Sequence, residues 1–171
     1  MGDIIDAIEE NNYLKVKTSL KGGLDPNQLV EISEDEYEPL LFFAVRKRVD
    51  LDIIELIIES GAKLEYISDD GVSILDEAVI FGQLELAKYL IHKKDFDVNS
   101  TKRKSGMTPF MQAACYGDIE LMKFLIECGA NINAKDKNGM DALRYTQVLG
   151  RKRAEEFLEN ILKNDDLVKN D

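Results

Sequence analysis

Tryptophan is absent from this 171-residue chain, and histidine occurs once, cysteine twice and proline three times. The single histidine, His92, lies at the end of a predicted helix beside an insertion. It has no second histidine three or four residues away, so neither a Ser-His-Asp triad nor a histidine metal site is predicted. Cys115 and Cys128 are too few for a disulfide framework or a zinc site. The glycines form neither a phosphate loop nor a dinucleotide fingerprint. The sequence therefore predicts no catalytic residue, no cofactor and no metal.

Long apolar runs and an excess of positive charge are also missing. No run approaches the ~20 residues of a membrane-spanning helix, and the acidic start MGDIIDAIEENN lacks the basic and apolar regions of a secretory signal. Lysine and arginine total 22 against 33 acidic residues, a net charge of −11, which disfavours nonspecific binding to nucleic acid or to an anionic membrane. We therefore expect a soluble, cytoplasmic protein with reduced thiols.

What is present is a segment of 33 residues, 106–138, which reads GMTPFMQAACYGDIELMKFLIECGANINAKDKN and begins again at Gly139. Thr108 can cap a helix with its hydroxyl, and Pro109 suits the first helical position. Gly117 predicts a turn between two short helices, and Gly129 a left-handed end to the second. The unit is therefore predicted as helix, turn, helix and a polar finger.

The order of these residues resembles the ankyrin repeat, whose period is about 33 and whose marker is T-P-L-H-x-A. Met111 departs from the marker, since the family usually has histidine there. The resemblance implies an all-α ankyrin-repeat solenoid of about five helix-turn-helix units with β-hairpin-like fingers. The tetratricopeptide array, with a period of ~34 residues, is the main alternative, but it lacks the proline-led start and the Gly-Ala-Asn-Ile-Asn ending.

Spacing of these markers divides the chain into five units within a single domain over 1–162. The units are approximately 1–37, 38–70, 71–105, 106–138 and 139–162, and residues 163–171 are predicted to be a frayed tail. The two end units have lost most markers, as expected of caps with one solvent-facing side. The finger of the first unit carries an insertion with a short β-like run at Leu29, Val30 and Ile32.

The resemblance implies that a partner binds the concave surface formed by inner helices and fingers. The variable positions there are the two residues before each turn glycine, and Phe81, Tyr116 and Leu149 recur at them with spacings of 35 and 33. Stacking would align these three side chains in one row, suited to anchoring an interface. The alternative is that they pack against neighbouring repeats.

The charge of the predicted fingers changes from negative to positive along the chain. The first has an acidic cluster at 34–36 and the second has Asp69 and Asp70, whereas the third carries a basic run at 102–104 and the fourth has Lys135 and Lys137. This pattern favours a partner with an acidic patch towards the C-terminal half and a basic patch towards the N-terminal half, which would set orientation and association rate. The alternative is that the tips are only solvated charged loops.

Together these features predict a noncatalytic, monomeric scaffold, adaptor or inhibitor that binds a folded protein. The alternatives are an accessory or small-molecule-acting enzyme and a nucleic-acid binder that uses Lys102–Lys104. Binding to nucleic acid or membrane is not predicted. The residues predicted to contact the partner are Arg46, Lys47, Asp69, Asp70, Ile80, Phe81, Lys102, Arg103, Lys104, Met107, Cys115, Tyr116, Lys135, Lys137, Met140, Val148 and Leu149.

Overall fold

A computed structural model describes residues 2–168, which divide into two compact units. The first unit ends at Ser68 and the second begins at Asp69. A single domain over 1–162 therefore stays a prediction. None of the helices in the described part of the chain has the length and apolarity needed to cross a membrane.

The first unit contains four helices and a two-stranded sheet. Its elements are α1 (Gly2–Glu9), α2 (Tyr13–Lys21), β1 (Leu29–Ser33), β2 (Glu36–Pro39), α3 (Leu40–Arg46) and α4 (Leu51–Glu59). Helix α2 packs against α1 and α4, and α3 packs against α4 and the sheet. Six consecutive residues of α3, from Leu40 to Val45, are buried, so this helix is the centre of the unit's core.

The apolar run in the first finger forms strand β1, as predicted. It pairs with β2 in antiparallel register, with Val30 opposite Glu38 and Glu31 opposite Tyr37. Asp35, in the turn, has a φ of 61°, a left-handed conformation that Asp tolerates better than most residues. The sheet thus projects as a short hairpin from the helices of the first unit.

Six helices make up the second unit. They are α5 (Ile74–Ile80), α6 (Leu84–Lys94), α7 (Pro109–Tyr116), α8 (Ile119–Glu127), α9 (Ala142–Val148) and α10 (Lys152–Val168). Helix α7 packs between α5 and α9, while α6, α8 and α10 each pack against their preceding helix. Ala78, Ala113 and Ala114 are fully buried, which lets neighbouring inner helices approach closely.

Side chains cap the short helices of the second unit as the repeat pattern predicts. Thr108 accepts a hydrogen bond from Met111 N at 3.2 Å, and Pro109 occupies the first turn. Ser73 and Asp76 form a reciprocal capping box at α5. Gly117 ends α7 with a φ of 71°. These residues satisfy backbone groups that a helix of seven or eight residues otherwise leaves exposed.

Asparagine side chains join successive repeats inside each unit. In the first unit, Asn27 Nδ2 donates to Gly61 O at 2.9 Å, and its Oδ1 accepts from Lys63 N at 2.8 Å. In the second unit, Asn99 makes the same pair of bonds, to Gly129 O at 3.0 Å and from Asn131 N at 2.7 Å. The asparagine at the end of one repeat therefore holds the end of the next repeat's outer helix.

The later fingers differ from the first, because strands occur only at 29–39 within residues 2–168. The fingers of the second unit are turns, and a single backbone hydrogen bond joins each finger to the next. Lys104 N donates to Asp70 O at 2.9 Å, and Lys137 N donates to Ser105 O at 3.0 Å. Gly71 is required at this contact, since its φ is +80° and a Cβ atom would overlap the Lys102 carbonyl.

Helix α10 is longer than the sequence predicts. It continues to Val168, so residues 163–168 are helical, whereas residues 169–171 lie outside the described part of the chain. Fraying of residues 163–171 stays a prediction. Ala154 and Leu158 are buried, and Glu155 and Glu159 are only partly covered. The last described helix is thus amphipathic, which agrees with the polar end unit expected from the sequence.

Replacing Asn99 with alanine is expected to lower the free energy of unfolding by about 1–2 kcal/mol, because two hydrogen bonds between repeats are lost. Urea denaturation followed by circular dichroism measures the change. Asn133→Ala is the matched control, since the exposed Asn133 side chain makes no hydrogen bond within residues 2–168, and its cost should stay below ~0.5 kcal/mol. Equal costs for the two variants would contradict the role of the Asn99 bridge.

Candidate functional site

Large apolar side chains that remain exposed form two groups in the chain. Eight are exposed among the residues whose side chains are described. Three lie at the ends of α7 and α9, namely Tyr116, Val148 and Leu149, at 51%, 60% and 46% exposure. Four others belong to the first unit's hairpin and the segment after α4, and the eighth is Leu14. We call Tyr116, Val148 and Leu149 the helix-end patch.

The helix-end patch contains part of the predicted row. Tyr116 and Leu149 occupy equivalent positions, each directly before a turn glycine with positive φ. Phe81, in contrast, is half-buried, as are Ile80 and Cys115. Packing against neighbouring residues therefore covers part of the Phe81 side chain, whereas Tyr116 and Leu149 stay exposed.

Arg151 ties together the repeats that carry the helix-end patch. Its Nε donates to the Cys115 carbonyl at 2.8 Å, and the aliphatic part of its side chain lies against Gly117. Burial raises the pKa of the Cys115 thiol to about 11, so the thiol stays protonated and a poor nucleophile at neutral pH. Cys115 is therefore a structural neighbour of the patch.

The finger charges of the second unit that were predicted to contact a partner lie at the surface, with one exception. Asp69, Asp70, Lys102 and Lys104 are exposed, as are Lys135 and Lys137 in the next finger. Lys104 Nζ lies 3.8 Å from Asp70 Oδ1, with 72% and 85% of the two side chains exposed. An ion pair in that setting contributes little to stability, which leaves the lysines available to a partner.

Arg103 is the exception. The sequence predicts a tip cation, but the structure places this side chain half-buried, with Nη1 donating to Gln112 Oε1 at 2.8 Å. Gln112 is a buried residue of α7. Arg103 therefore fastens its finger to the helix that follows and contributes less positive surface than expected. Met107 and Met140, also predicted to contact a partner, are half-buried.

The next repeat has an equivalent bond that sequence reasoning missed. Tyr145 of α9 donates its hydroxyl to Asp136 Oδ2 at 2.7 Å, and both this pair and the Arg103–Gln112 pair are separated by nine residues. Arg103 and Asp136 each lie three residues before a finger glycine. This shared offset, with polar residues at both positions, is the sequence signal from which the two equivalent bonds could have been predicted.

Asp136 is the hydrogen-bond centre of its finger. It is buried, yet it also accepts from Met140 N at 2.8 Å and from Asn138 N at 2.9 Å. Burial acts against ionisation of this carboxyl, but the bonds from Tyr145, Met140 and Asn138 outweigh it and lower its pKa. Burial and the adjacent carboxylate raise the pKa of Tyr145 to about 12.

Two further carboxyls, Asp76 and Glu77, are buried at the start of α5. Asp76 Oδ2 accepts from Ser73 Oγ at 2.6 Å and from Ser73 N at 2.8 Å. Burial raises the pKa of Asp76 despite these bonds. Asp76 thus serves helix capping. No group of three or more His, Cys, Asp or Glu suited to a metal ion occurs in the described residues.

The remaining predicted contact residues, Arg46 and Lys47, belong to the first unit. Both are exposed at the end of α3 and both are paired. Arg46 Nη1 lies 2.7 Å from Glu38 Oε2, and Lys47 forms an ion pair with Glu9. They thus link α3 to the hairpin and to α1.

Comparison with known proteins agrees with the repeat architecture. A family model described as ankyrin repeats (many copies) matches residues 75–126. The chain is 30% identical over 128 residues to ankyrin repeat and SAM domain-containing protein 6 of Rattus norvegicus. It is 34% identical over 134 residues to palmitoyltransferase AKR1 of Lachancea kluyveri, and 35% identical over 104 residues to E3 ubiquitin-protein ligase hecd-1 of Caenorhabditis elegans.

With its capped helix pairs and recurring glycine turns, the chain belongs to the ankyrin repeat family. The three matches cover 74%, 75% and 60% of this chain, but only 14%, 18% and 4% of the respective relatives. The chain therefore spans a small part of the length of these relatives, two of which carry the names of enzymes. Ankyrin repeats generally mediate protein–protein interaction.

Replacing Tyr145 with phenylalanine is expected to lower the free energy of unfolding by about 1–2 kcal/mol at neutral pH. Because the pKa of Asp136 is lowered from its ordinary 3.8, this stabilisation is complete above pH ~4 and is lost as the pH falls through the folded-state pKa. Urea titrations of both proteins at about pH 7, 5 and 3 test this expectation.

Tyr116→Phe is the control for that measurement, since the exposed Tyr116 hydroxyl makes no hydrogen bond within residues 2–168. Its unfolding free energy should match that of the unmodified protein at each pH. A Tyr145→Phe effect that persisted unchanged in acid would show that the Asp136 carboxylate is not its source.

Proposed function

We propose that this chain is a noncatalytic binding module, an adaptor, scaffold or inhibitor, that holds a folded protein against the inner-helix side of its second unit. The observation that carries the proposal is the helix-end patch, in which tyrosine, valine and leucine are about half exposed at the ends of adjacent helices. Aromatic and branched side chains of this kind anchor protein interfaces.

The proposal is supported by how firmly the patch is held. Tyr116 and Leu149 lie beside turn glycines, and the Arg151–Cys115 bond ties their repeats together. The fingers are fixed by the Arg103–Gln112 and Tyr145–Asp136 bonds. A surface ordered in advance loses little conformational entropy when a partner binds.

Exposed lysines on the fingers of the second unit favour a partner with an acidic surface. Lys102, Lys104, Lys135 and Lys137 are all exposed. Nucleic acid is less suitable, because Arg103 is engaged with Gln112 and the chain carries a net charge of −11. Cytoplasmic location and a monomeric state are part of this proposal.

Replacing both Tyr116 and Leu149 with alanine should weaken partner binding by about 2 kcal/mol or more, roughly 30-fold, if they are interface anchors. The partner is first identified by affinity capture from the source cell with mass spectrometry, and its affinity is then measured by calorimetry. Leu14→Ala is the control, since this leucine is 73% exposed but lies in the first unit. Unchanged affinity of the double variant would refute the proposed surface.

Neutralising Lys102, Lys104 and Lys135 with glutamine should slow association by about tenfold at low salt, with little change in dissociation. The difference should shrink as salt screens the charges. Biolayer interferometry at two salt concentrations measures both rates. The control neutralises Lys21, Lys93 and Lys152, which are also exposed. Equal slowing in both triple variants would assign the effect to net charge and not to the fingers.

A further inference from the structure

The hairpin of the first unit has one face turned to the helices and one turned to water. Val30 and Glu38, which are paired across the strands, are buried at 1% and 7% exposure. Because side chains alternate along a strand, their neighbours Leu29, Glu31, Tyr37 and Pro39 lie on the opposite face. Leu29 and Tyr37 are 49% and 52% exposed. This outer face is therefore an apolar surface that the first unit leaves uncovered.

A groove continues the outer face. It has a volume of about 360 Å³, and the residues lining it are Asn27, Leu29, Pro39, Lys63, Glu65 and Tyr66. Tyr66 is itself 39% exposed and is held edge-on against Phe42, with ring centroids 5.0 Å apart. The groove thus has one fixed aromatic wall and one wall from the hairpin, and its volume is sufficient for an apolar side chain.

The hairpin carries charge of one sign only. Residues 28–39 include five acidic residues and no lysine or arginine. Glu38 is paired with Arg46 inside the unit, while the other four, Glu31, Glu34, Asp35 and Glu36, are exposed. A ligand that covers the apolar face must pass this acidic rim, and a basic one is attracted by it.

From these observations we propose that the outer face of the hairpin, with its groove, binds an extended basic segment of a partner protein. Side chains of an extended segment alternate in direction, so apolar residues at every second position can face the hairpin, with one of them in the groove. The lysines or arginines between them point the other way, and their long side chains can bend back towards the acidic rim. The edges of a two-stranded sheet present backbone groups that such a segment can pair with. This proposal uses other residues than the helix-end patch and does not depend on it.

The test uses the full chain and a fluorescein-labelled ten-residue peptide in which lysine alternates with leucine or valine. Fluorescence anisotropy should show saturable binding that weakens with salt, and the same peptide with glutamate in place of lysine should not bind. Amide chemical shifts should change at 29–39 and 63–66. Absence of saturation up to ~1 mM peptide, or equal binding of the glutamate peptide, overturns the proposal.

Variants separate specific docking from general attraction to an acidic protein. Leu29→Ser combined with Tyr37→Ser should weaken peptide binding at least tenfold, whereas Leu14→Ser, at an exposed leucine outside the hairpin, should not. The apolar variants are checked for an unchanged circular dichroism spectrum.

A variant that removes only negative charge tests the proposal without changing Leu29 or Tyr37. Glu31→Gln, Glu34→Gln and Asp35→Asn together should weaken binding about tenfold, whereas neutralising the exposed Glu59, Glu127 and Glu156 should not. Equal loss in both sets overturns the proposal. So does concentration-dependent dimerisation that the Leu29/Tyr37 variant abolishes, because it would identify a second copy of this chain as the occupant.

Discussion

Helix length is the constraint on which the rest of this structure depends. Nine of the ten helices in residues 2–168 contain seven to eleven residues, too few to be stable alone in water. In so short a helix most terminal amides and carbonyls lack an intrahelical partner. Side chains must supply those partners, as Thr108 and Asp118 do at helix starts and Asn99 does at a helix end. The residues that mark the repeat in the sequence are therefore largely the residues that complete the hydrogen bonding of its helices.

The same constraint explains why polar residues are buried between finger and helix. The fingers of the second unit have no strand ladder, so they are fixed by side chains, through Arg103 to Gln112 and through Tyr145 to Asp136. The two pairs use opposite chemistry at equivalent positions: in one the finger residue donates, and in the other it accepts. The requirement is thus for a hydrogen bond, and the residue types that make it are free to vary between repeats.

Much of this fold follows from the sequence because its signals are local. The turn at Gly117, the cap at Thr108 and the strand at Leu29–Ser33 depend on residues close in the chain. The candidate site is less predictable. Whether Arg103 or Lys104 turns inward, and whether Phe81 or Tyr116 stays exposed, depends on packing between repeats that composition and spacing do not encode.

Most of the exposed large apolar side chains are grouped in a way that the stability of the helices does not explain. Single exposed apolar residues, such as Leu14, are ordinary and need no explanation. Seven of the eight exposed large apolar side chains, however, fall in just two places, the hairpin with its groove and the helix-end patch. The exposed side chains of these two groups supply no hydrogen bond to a helix end, so the constraint of short helices does not account for them. Because water contact at grouped apolar side chains costs free energy that folding does not recover, this cost is the physical argument for the binding roles proposed for both surfaces.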